Sequence, residues 1–208
     1  MIPEVKVALY DGSMFSMRFT PLRYNIAVLV SGGLDSALLY YLVKYLSLQD
    51  SRYRVTPYTL ERADGSKKHA QAVIDYVHDT LNCERILTTY VPITNEDSNL
   101  QVAEGTKILL ETQIKLLYVG YIKTLPEHAL HGVPPPFVPI DGNILKCPLK
   151  DLTKAHVVDL MVKLGIEKLF ELTHSCVYDI AGSCNECNRC NERAWAFEQL
   201  SLIDPSIK

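Results

Sequence analysis

Basic residues are not in excess here: 21 Lys and Arg stand against 24 Asp and Glu, a formal charge of -3. Bulk charge therefore draws the chain to no polyanion, and small substrates are favoured over RNA or DNA. No uninterrupted apolar stretch reaches the roughly 18 to 20 residues that a membrane helix needs, the best candidate being broken by Gly33 and Lys44. The first twenty residues carry Glu4, Lys6 and Asp11 and lack the order of a secretory signal, which predicts a cytoplasmic protein away from membranes. The Gly-Lys-Ser/Thr string of a Walker loop is missing, as is a dinucleotide fingerprint. Internal repeats and low-complexity tracts are absent as well.

What is present is an ordinary globular mixture, 208 residues with 48% hydrophobic and 22% charged, long enough to bury a sizeable core in one domain. Residues 1–24 alternate around Asp11-Gly12, a hairpin signal read as an addition at a sheet edge. Ile26 to Val30 is a short apolar run, as expected of a strand covered on both faces. Asp35 to Lys44 leaves almost no polar face and predicts a buried helix. A second strand over Tyr53 to Leu60 contains Pro57, which removes a ladder donor. A helix over His69 to Leu81, a strand over Arg85 to Val91 and a long helix over Lys107 to Ile122 follow. His131 to Asn143 reads as a proline-rich loop, and Thr153 to Leu164 as a helix with Asp151 as a cap. The cysteine segment precedes a last helix near Ala194 to Leu200. Alternating strands and helices predict an α/β fold with a parallel sheet.

Ser31-Gly32-Gly33-Leu34-Asp35-Ser36 lies between an apolar strand and an apolar helix, where backbone N–H groups and the helix dipole converge on an anion. Gly32 and Gly33 can take positive φ and admit phosphate oxygens without a Cβ clash, while Ser31 and Ser36 carry hydroxyl donors. Asp35 suits either the helix N-terminus or a magnesium ion. A tight strand-to-helix turn with a serine cap is the plainer alternative, but the complete string in this setting is more specific than Gly-Gly alone.

Cys176, Cys184, Cys187 and Cys190 form a C-x7-C-x2-C-x2-C pattern. The two-residue gaps let neighbouring thiolates face one ion, and the longer gap closes a loop that brings in the fourth. Tetrahedral zinc is expected, with all four positions filled and a structural role; an iron–sulfur cluster and a metal-free set of buried thiols are the alternatives. Cys83 and Cys147 stand apart and read as core residues.

The loop string resembles the PP-loop of the ATP pyrophosphatase superfamily, which implies an adenine nucleotide alpha hydrolase-like parallel sheet that binds ATP at Ser31 to Ser36. Joined to the cysteines, to Cys147-Pro148-Leu149 with Thr153-Lys154-Ala155, and to Cys190-Asn191-Glu192-Arg193, it resembles the 7-cyano-7-deazaguanine synthase (QueC) family over less than half of the chain. The resemblance implies a single domain over 1–208, with 173–208 as a zinc-binding segment and terminal helix. It also implies ATP with Mg2+ and Zn2+, Asp35 and Lys154 at the reacting centre, a homodimer, and conversion of 7-carboxy-7-deazaguanine with ammonia through an amide to the nitrile. A solvated lysine in a helix first turn is the plain alternative for Lys154. Lys67, Lys68 and His69, with Glu61 and Arg62 before them, either cover the nucleotide or are surface charges. Two stretches depart from the family: Val102 to Lys107 lacks its Pro-Gly-Arg-Asn, and after Gly132 the proline-rich loop replaces an Asp- and Tyr-rich segment. A relative that joins a deazaguanine-type acid to another amine, a tRNA-modifying PP-loop enzyme and a non-catalytic nucleotide-binding module are the remaining readings.

Overall fold

A computed structural model of the chain describes residues 3–19, 24–61, 65–93, 104–105, 107–109, 116–124 and 144–207. The hairpin expected at the start forms from β1 (Glu4–Ala8) and β2 (Met14–Arg18), turning through Gly12 at φ 84. Then β3 (Asn25–Leu29) leads into α1 (Leu34–Ser47), and β4 (Arg54–Glu61) into α2 (Ser66–Thr80). Strands β5 (Thr89–Pro92), β6 (Leu116–Val119) and β7 (Ile144–Lys146) complete a five-stranded sheet. Its order is β5-β4-β3-β6-β7 and every pairing is parallel. Helices α3 (Lys154–Lys163), α4 (Leu169–Leu172) and α5 (Asn188–Gln199) close the described chain.

Strand β3 is apolar throughout its buried part because it has a core on each face. Ile26 and Val28 join the larger cluster, with Leu38, Leu42, Val73, Val158 and Phe197 from the helices, while Ala27 and Leu29 join a smaller one with Leu60, Val91 and Leu117. The same alternation divides Leu116 and Tyr118 from Leu117 and Val119 in β6, the period of two that a pleated strand imposes. Pro57 is tolerated for a related reason. The Tyr58 carbonyl accepts from Val30 N–H at 2.8 Å, so alternate residue Pro57 turns its nitrogen toward the β5 side, where pairing begins only at Tyr58 with Thr89.

Several boundaries differ from the sequence expectations. The stretch expected as one helix over Lys107 to Ile122 divides: 107–109 are helical, 110–115 lie outside the described residues, and Leu116 to Val119 is the buried strand β6. Four apolar residues in a row have no period that separates strand from helix, and the parallel sheet decides. Arg85 to Thr88 is irregular, because β5 pairs only with the second half of β4. Among the described residues the hairpin is a two-stranded sheet of its own and extends neither edge of the larger one. It docks instead on α3, where Tyr10 N–H donates to Asp159 Oδ2 at 2.8 Å and Lys163 Nζ to the Ala8 carbonyl at 2.6 Å. Thr153, and not Asp151, is the N-cap of α3. Helix α5 begins six residues before the expected Ala194, since the last cysteine pair forms its first turn, with Cys187 Sγ accepting from Cys190 N–H at 3.4 Å.

The C-terminal tail is held by one buried guanidinium. Arg193, 1% exposed, donates to Asp204 at 2.9 and 3.1 Å, to the Thr173 carbonyl at 3.2 Å and to the Phe170 carbonyl at 2.6 Å. Arg193→Met leaves the Asp204 carboxylate buried without its cation, and a loss of about 3–5 kcal/mol is expected from urea unfolding; a change below about 1 kcal/mol would show that the tail is held otherwise. Two histidines give stability a pH dependence. Burial lowers the pKa of both His69 and His78, the latter hydrogen-bonded to Tyr40 Oη at 2.6 Å. Below the ordinary histidine value of 6.5 the unfolded chain binds protons that the folded chain refuses, so their stabilisation is full above that pH and falls beneath it. The urea midpoint should drop between about pH 7.5 and 5.5, less steeply in His78→Gln; parallel curves would contradict the assignment.

Candidate functional site

The order of the sheet fixes where a crevice opens. From β3 the chain moves outward through β4 to β5 and then returns to β6 on the other side of β3, so direction reverses between β3 and β6. At such a switch point the loops after the two strands diverge and leave a cleft beyond their carboxyl ends. Ser31 to Ser36 follows β3, and Gly120 follows β6. A Cβ on Gly120 would lie 3.0 Å from both Asp35 C and Ser36 N, so the exit of β6 presses on the first turn of α1.

Within the loop, Ser36 Oγ accepts from Ser31 N–H at 3.0 Å, donates to the Gly33 carbonyl at 3.0 Å and lies 3.0 Å from Ser31 Oγ. Both hydroxyls thus brace the turn. Only Gly32 has positive φ, at 79; Gly33 is extended at φ -88, which corrects the expectation for that residue. Gly33 is the N-cap of α1 and offers no side-chain cap, so the first-turn N–H groups suit an external anion. Leu34 is fully buried and anchors the turn from below. The Gly32 carbonyl accepts from His174 N–H at 2.9 Å, which ties the loop to the cysteine segment.

Lys154 opens α3 and is 7% exposed, so it is not the solvated first-turn lysine of the plainer reading. A cation at a helix N-terminus opposes the macrodipole, and two carboxylates offset this: Asp35 Oδ2 at 2.5 Å and Glu192 Oε2 at 3.6 Å. Asp35 Oδ1 is buried and has no hydrogen-bond partner. The start of α3 is fixed from behind, where His156 Nδ1 accepts from Thr153 N–H at 3.0 Å and its Nε2 meets Asp11 Oδ2 at 3.0 Å.

The four cysteine sulfurs of 176, 184, 187 and 190 lie within 4.8 Å of one another, with Cys184 and Cys190 Sγ 3.9 Å apart. One ion with bonds of about 2.3 Å would space its ligands by about 3.8 Å, so the set could hold a metal. Backbone N–H groups already point at the sulfurs, Cys187 N–H at Cys184 Sγ at 3.3 Å and Tyr178 N–H at Cys176 Sγ at 3.5 Å. The amides of Cys187 and Glu186 hold the Cys184 thiol down at about 6, whereas burial pushes Cys190 up to about 12.

The basic residues at the start of α2 have partners. Lys67 pairs with Glu61 at 2.9 Å, Lys68 with Asp179 at 2.8 Å, and His69 stacks on His174 at 4.7 Å. The last two fasten the cysteine segment to α2, while the first joins α2 to β4. Burial raises the Cys147 thiol, in keeping with a core residue, and Cys83 is half-buried. Arg62, Val102, Ala103, Thr106 and the proline-rich loop after Gly132 lie outside the described residues. Glu192 and Gly120 were not singled out as site residues by sequence reasoning. For Glu192 a signal existed, since it stands two positions after Cys190.

A parallel sheet whose first strand turns through this loop at the switch point, with the four-cysteine segment tied to the turn, makes an α/β domain whose candidate site lies beyond the ends of β3 and β6. The profile described as queuosine biosynthesis protein QueC matches residues 136–201. A 7-cyano-7-deazaguanine synthase of Hydrogenovibrio crunogenus is 26% identical, covering 86% of this chain and 94% of the relative. One of Saccharophagus degradans is 31% identical over 137 residues, 59% of this chain, and the chain spans 60% of that relative's length. By these matches the chain is similar to the QueC family over part of its length. Among solved structures, the U34-tRNA thiolase NcsA of Methanococcus maripaludis, with its 4Fe–4S cluster, aligns with a TM-score of 0.47 and 14% identity over 86% of this chain and 66% of that one. No helix among the described residues is long and apolar enough to cross a membrane.

Gly120→Ala should displace the first turn of α1, because backbone atoms and no flexible side chain receive the new methyl group. A fall of at least about tenfold in affinity for an anion bound at the loop is expected, read by calorimetry with inorganic pyrophosphate. Unchanged binding would mean that the two strands' exits are not mechanically joined.

Proposed function

We propose that the chain is an ATP-dependent C–N ligase that activates a 7-deazaguanine carboxylate for attack by ammonia, as its relatives' name, 7-cyano-7-deazaguanine synthase, suggests. The observation that carries the reading is the pairing of Asp35 and Lys154 at the mouth of the Ser31 to Ser36 turn. Acid–base chemistry alone does not call for a buried ammonium beside an uncapped helix N-terminus. Polyphosphate does.

In this reading Ser31, Gly32, Gly33, Leu34, Asp35 and Ser36 form the nucleotide loop. The substrate carboxylate oxygen attacks the α-phosphorus of ATP and pyrophosphate leaves; ammonia then attacks the acyl carbon and AMP departs, giving the amide. A second activation on the amide oxygen, followed by loss of AMP and protons, gives the nitrile. The chain contributes fixed N–H donors and Lys154 against charge that accumulates on the leaving pyrophosphate, and these need not reorganise as it forms. Asp35 would take the Mg2+ that accompanies ATP, and its bare Oδ1 suits that ligand.

Cys176, Cys184, Cys187 and Cys190 would hold Zn2+ as a structural ion, for a full set of thiolates leaves no open position. Sulfurs gathered within 4.8 Å fit a single ion better than an iron–sulfur cluster, whose thiolates stand around several irons. The departures at Val102 to Lys107 and after Gly132 favour testing a second reading in which the amine differs from ammonia. Cytoplasmic location and a homodimer belong to the same family reading.

Mixing the metal-loaded chain with 7-carboxy-7-deazaguanine, MgATP and ammonium should release AMP, with amide and nitrile seen by mass spectrometry. Turnover only with another amine would select the second reading, and none with any carboxylate would overturn ligase activity. Cys187→Ser should lose the metal and lower the thermal midpoint by about 10 °C or more. A colourless protein with one zinc per chain is expected, and visible absorbance with iron would replace zinc in the reading.

A further inference from the structure

Among the described residues Lys154 has two carboxylates within ion-pair reach, and they stand on different elements. Asp35 Oδ2 comes from the first turn of α1 and lies 2.5 Å from Nζ; Glu192 Oε2 comes from α5 and lies 3.6 Å away. The lysine and glutamate side chains are only 9% and 11% exposed, so water is a poor substitute partner for either charge. Asp35 meanwhile gives the lysine one oxygen, while Oδ1 stays buried without a hydrogen-bond partner. A buried carboxylate oxygen in that condition is costly unless a further donor or cation comes to it.

A divalent cation on Asp35 Oδ1 would draw on the carboxylate charge that Oδ2 shares with Lys154 and would repel the ammonium, so the shorter contact weakens. An ammonium left buried and unpaired would oppose the exchange strongly. Glu192 removes that obstacle, because an approach of roughly one ångström brings its pair with Lys154 to ordinary charge-assisted length. Its backbone is a firm platform for the purpose: the buried Cys190 stands two residues before it, and the adjacent Arg193 is locked to Asp204, Thr173 and Phe170.

We propose that Glu192 is the second holder of a two-position lysine, receiving the Lys154 ammonium when the divalent cation of a bound polyphosphate takes Asp35. Glu192 is thus a positioning residue that acts through Lys154. The proposal rests on the reading of Ser31 to Ser36 as the nucleotide loop. It gives the C-terminal helix a part in magnesium-dependent binding that structural support for the cysteines alone would not.

Calorimetric titration of the full metal-loaded chain with ATP, once with excess Mg2+ and once with no divalent cation added, separates the possibilities. Glu192→Gln should weaken Mg·ATP binding by about tenfold and leave Mg-free ATP within about twofold. In a Lys154→Met background, or Lys154→Gln if that folds better, Glu192→Gln should no longer affect Mg·ATP more than Mg-free ATP, since the ammonium it receives is gone. Glu192→Asp should restore part of the magnesium-dependent affinity, and Glu198→Gln, on the exposed side of α5, should match the unaltered chain. Equal weakening with and without Mg2+, or a magnesium-dependent loss that persists in the double variant, would overturn the proposal. Absence of ATP binding by the unaltered chain would instead overturn the nucleotide-loop reading beneath it, an outcome distinct from normal titration of the unaltered chain with no effect of Glu192→Gln.

Discussion

The site is organised around one ammonium group withdrawn from water. Lys154 begins a helix, where the dipole is unfavourable to a cation, and its side chain lies under protein. Such a charge persists only if carboxylates meet it, and among the described residues two do so, from the first turn of α1 and from α5. Their positions in turn require that three separate stretches converge: the turn after β3, the start of α3 and the helix that follows the cysteines. Much of the surrounding architecture can be understood as what holds these three together.

Each stretch is fastened by a different kind of contact. Gly120, at the end of β6, packs against the backbone of the first turn of α1 with no room for a side chain. The start of α3 is held by the His156 cap, and its later turns by the hairpin, through Tyr10 N–H to Asp159 and Lys163 to the Ala8 carbonyl. The cysteine segment reaches the loop by His174 N–H to the Gly32 carbonyl and reaches α2 by the Lys68 pair and the stacked histidines. Exposed pairs such as Lys68 with Asp179 contribute little alone. Their value lies in register, because the buried Arg193 network fixes the same segment from the other side.

What could be read from the sequence follows from the range of each interaction. The loop is local: a short apolar strand, two glycines and a helix start within a dozen residues, so its place and the helix after it were legible. The cysteine set was legible from spacing, because the chemistry of a shared ion depends on few geometric choices. Leu116 to Val119 was misread as helix since its strand character comes from neighbours β3 and β7, far away in sequence. The detached hairpin is another case: alternation in residues 5–19 predicts pairing between its own strands but says nothing of the surface that receives them. Lys154 shows the limit most clearly. Its motif position was visible, but its burial and its second carboxylate depend on α5, which packs against α3 only in the folded chain.

That arrangement also gives a reason for a four-cysteine set to lie so near a turn built of glycine and uncapped amides. Glycine and uncapped amides make the turn suitable for an anion and, for the same reasons, costly to hold in one shape. A metal-bound knot would have the opposite character, rigid without a large apolar core. Laid against the Gly32 carbonyl through His174, it supplies order to the turn from outside while leaving the N–H side untouched. The helix that leaves the knot then carries Glu192 and Arg193 at consecutive positions, one toward Lys154 and the other toward the tail. Rigidity at the sulfurs can thereby reach both the charge at the loop and the packing of the C-terminus without passing through the sheet.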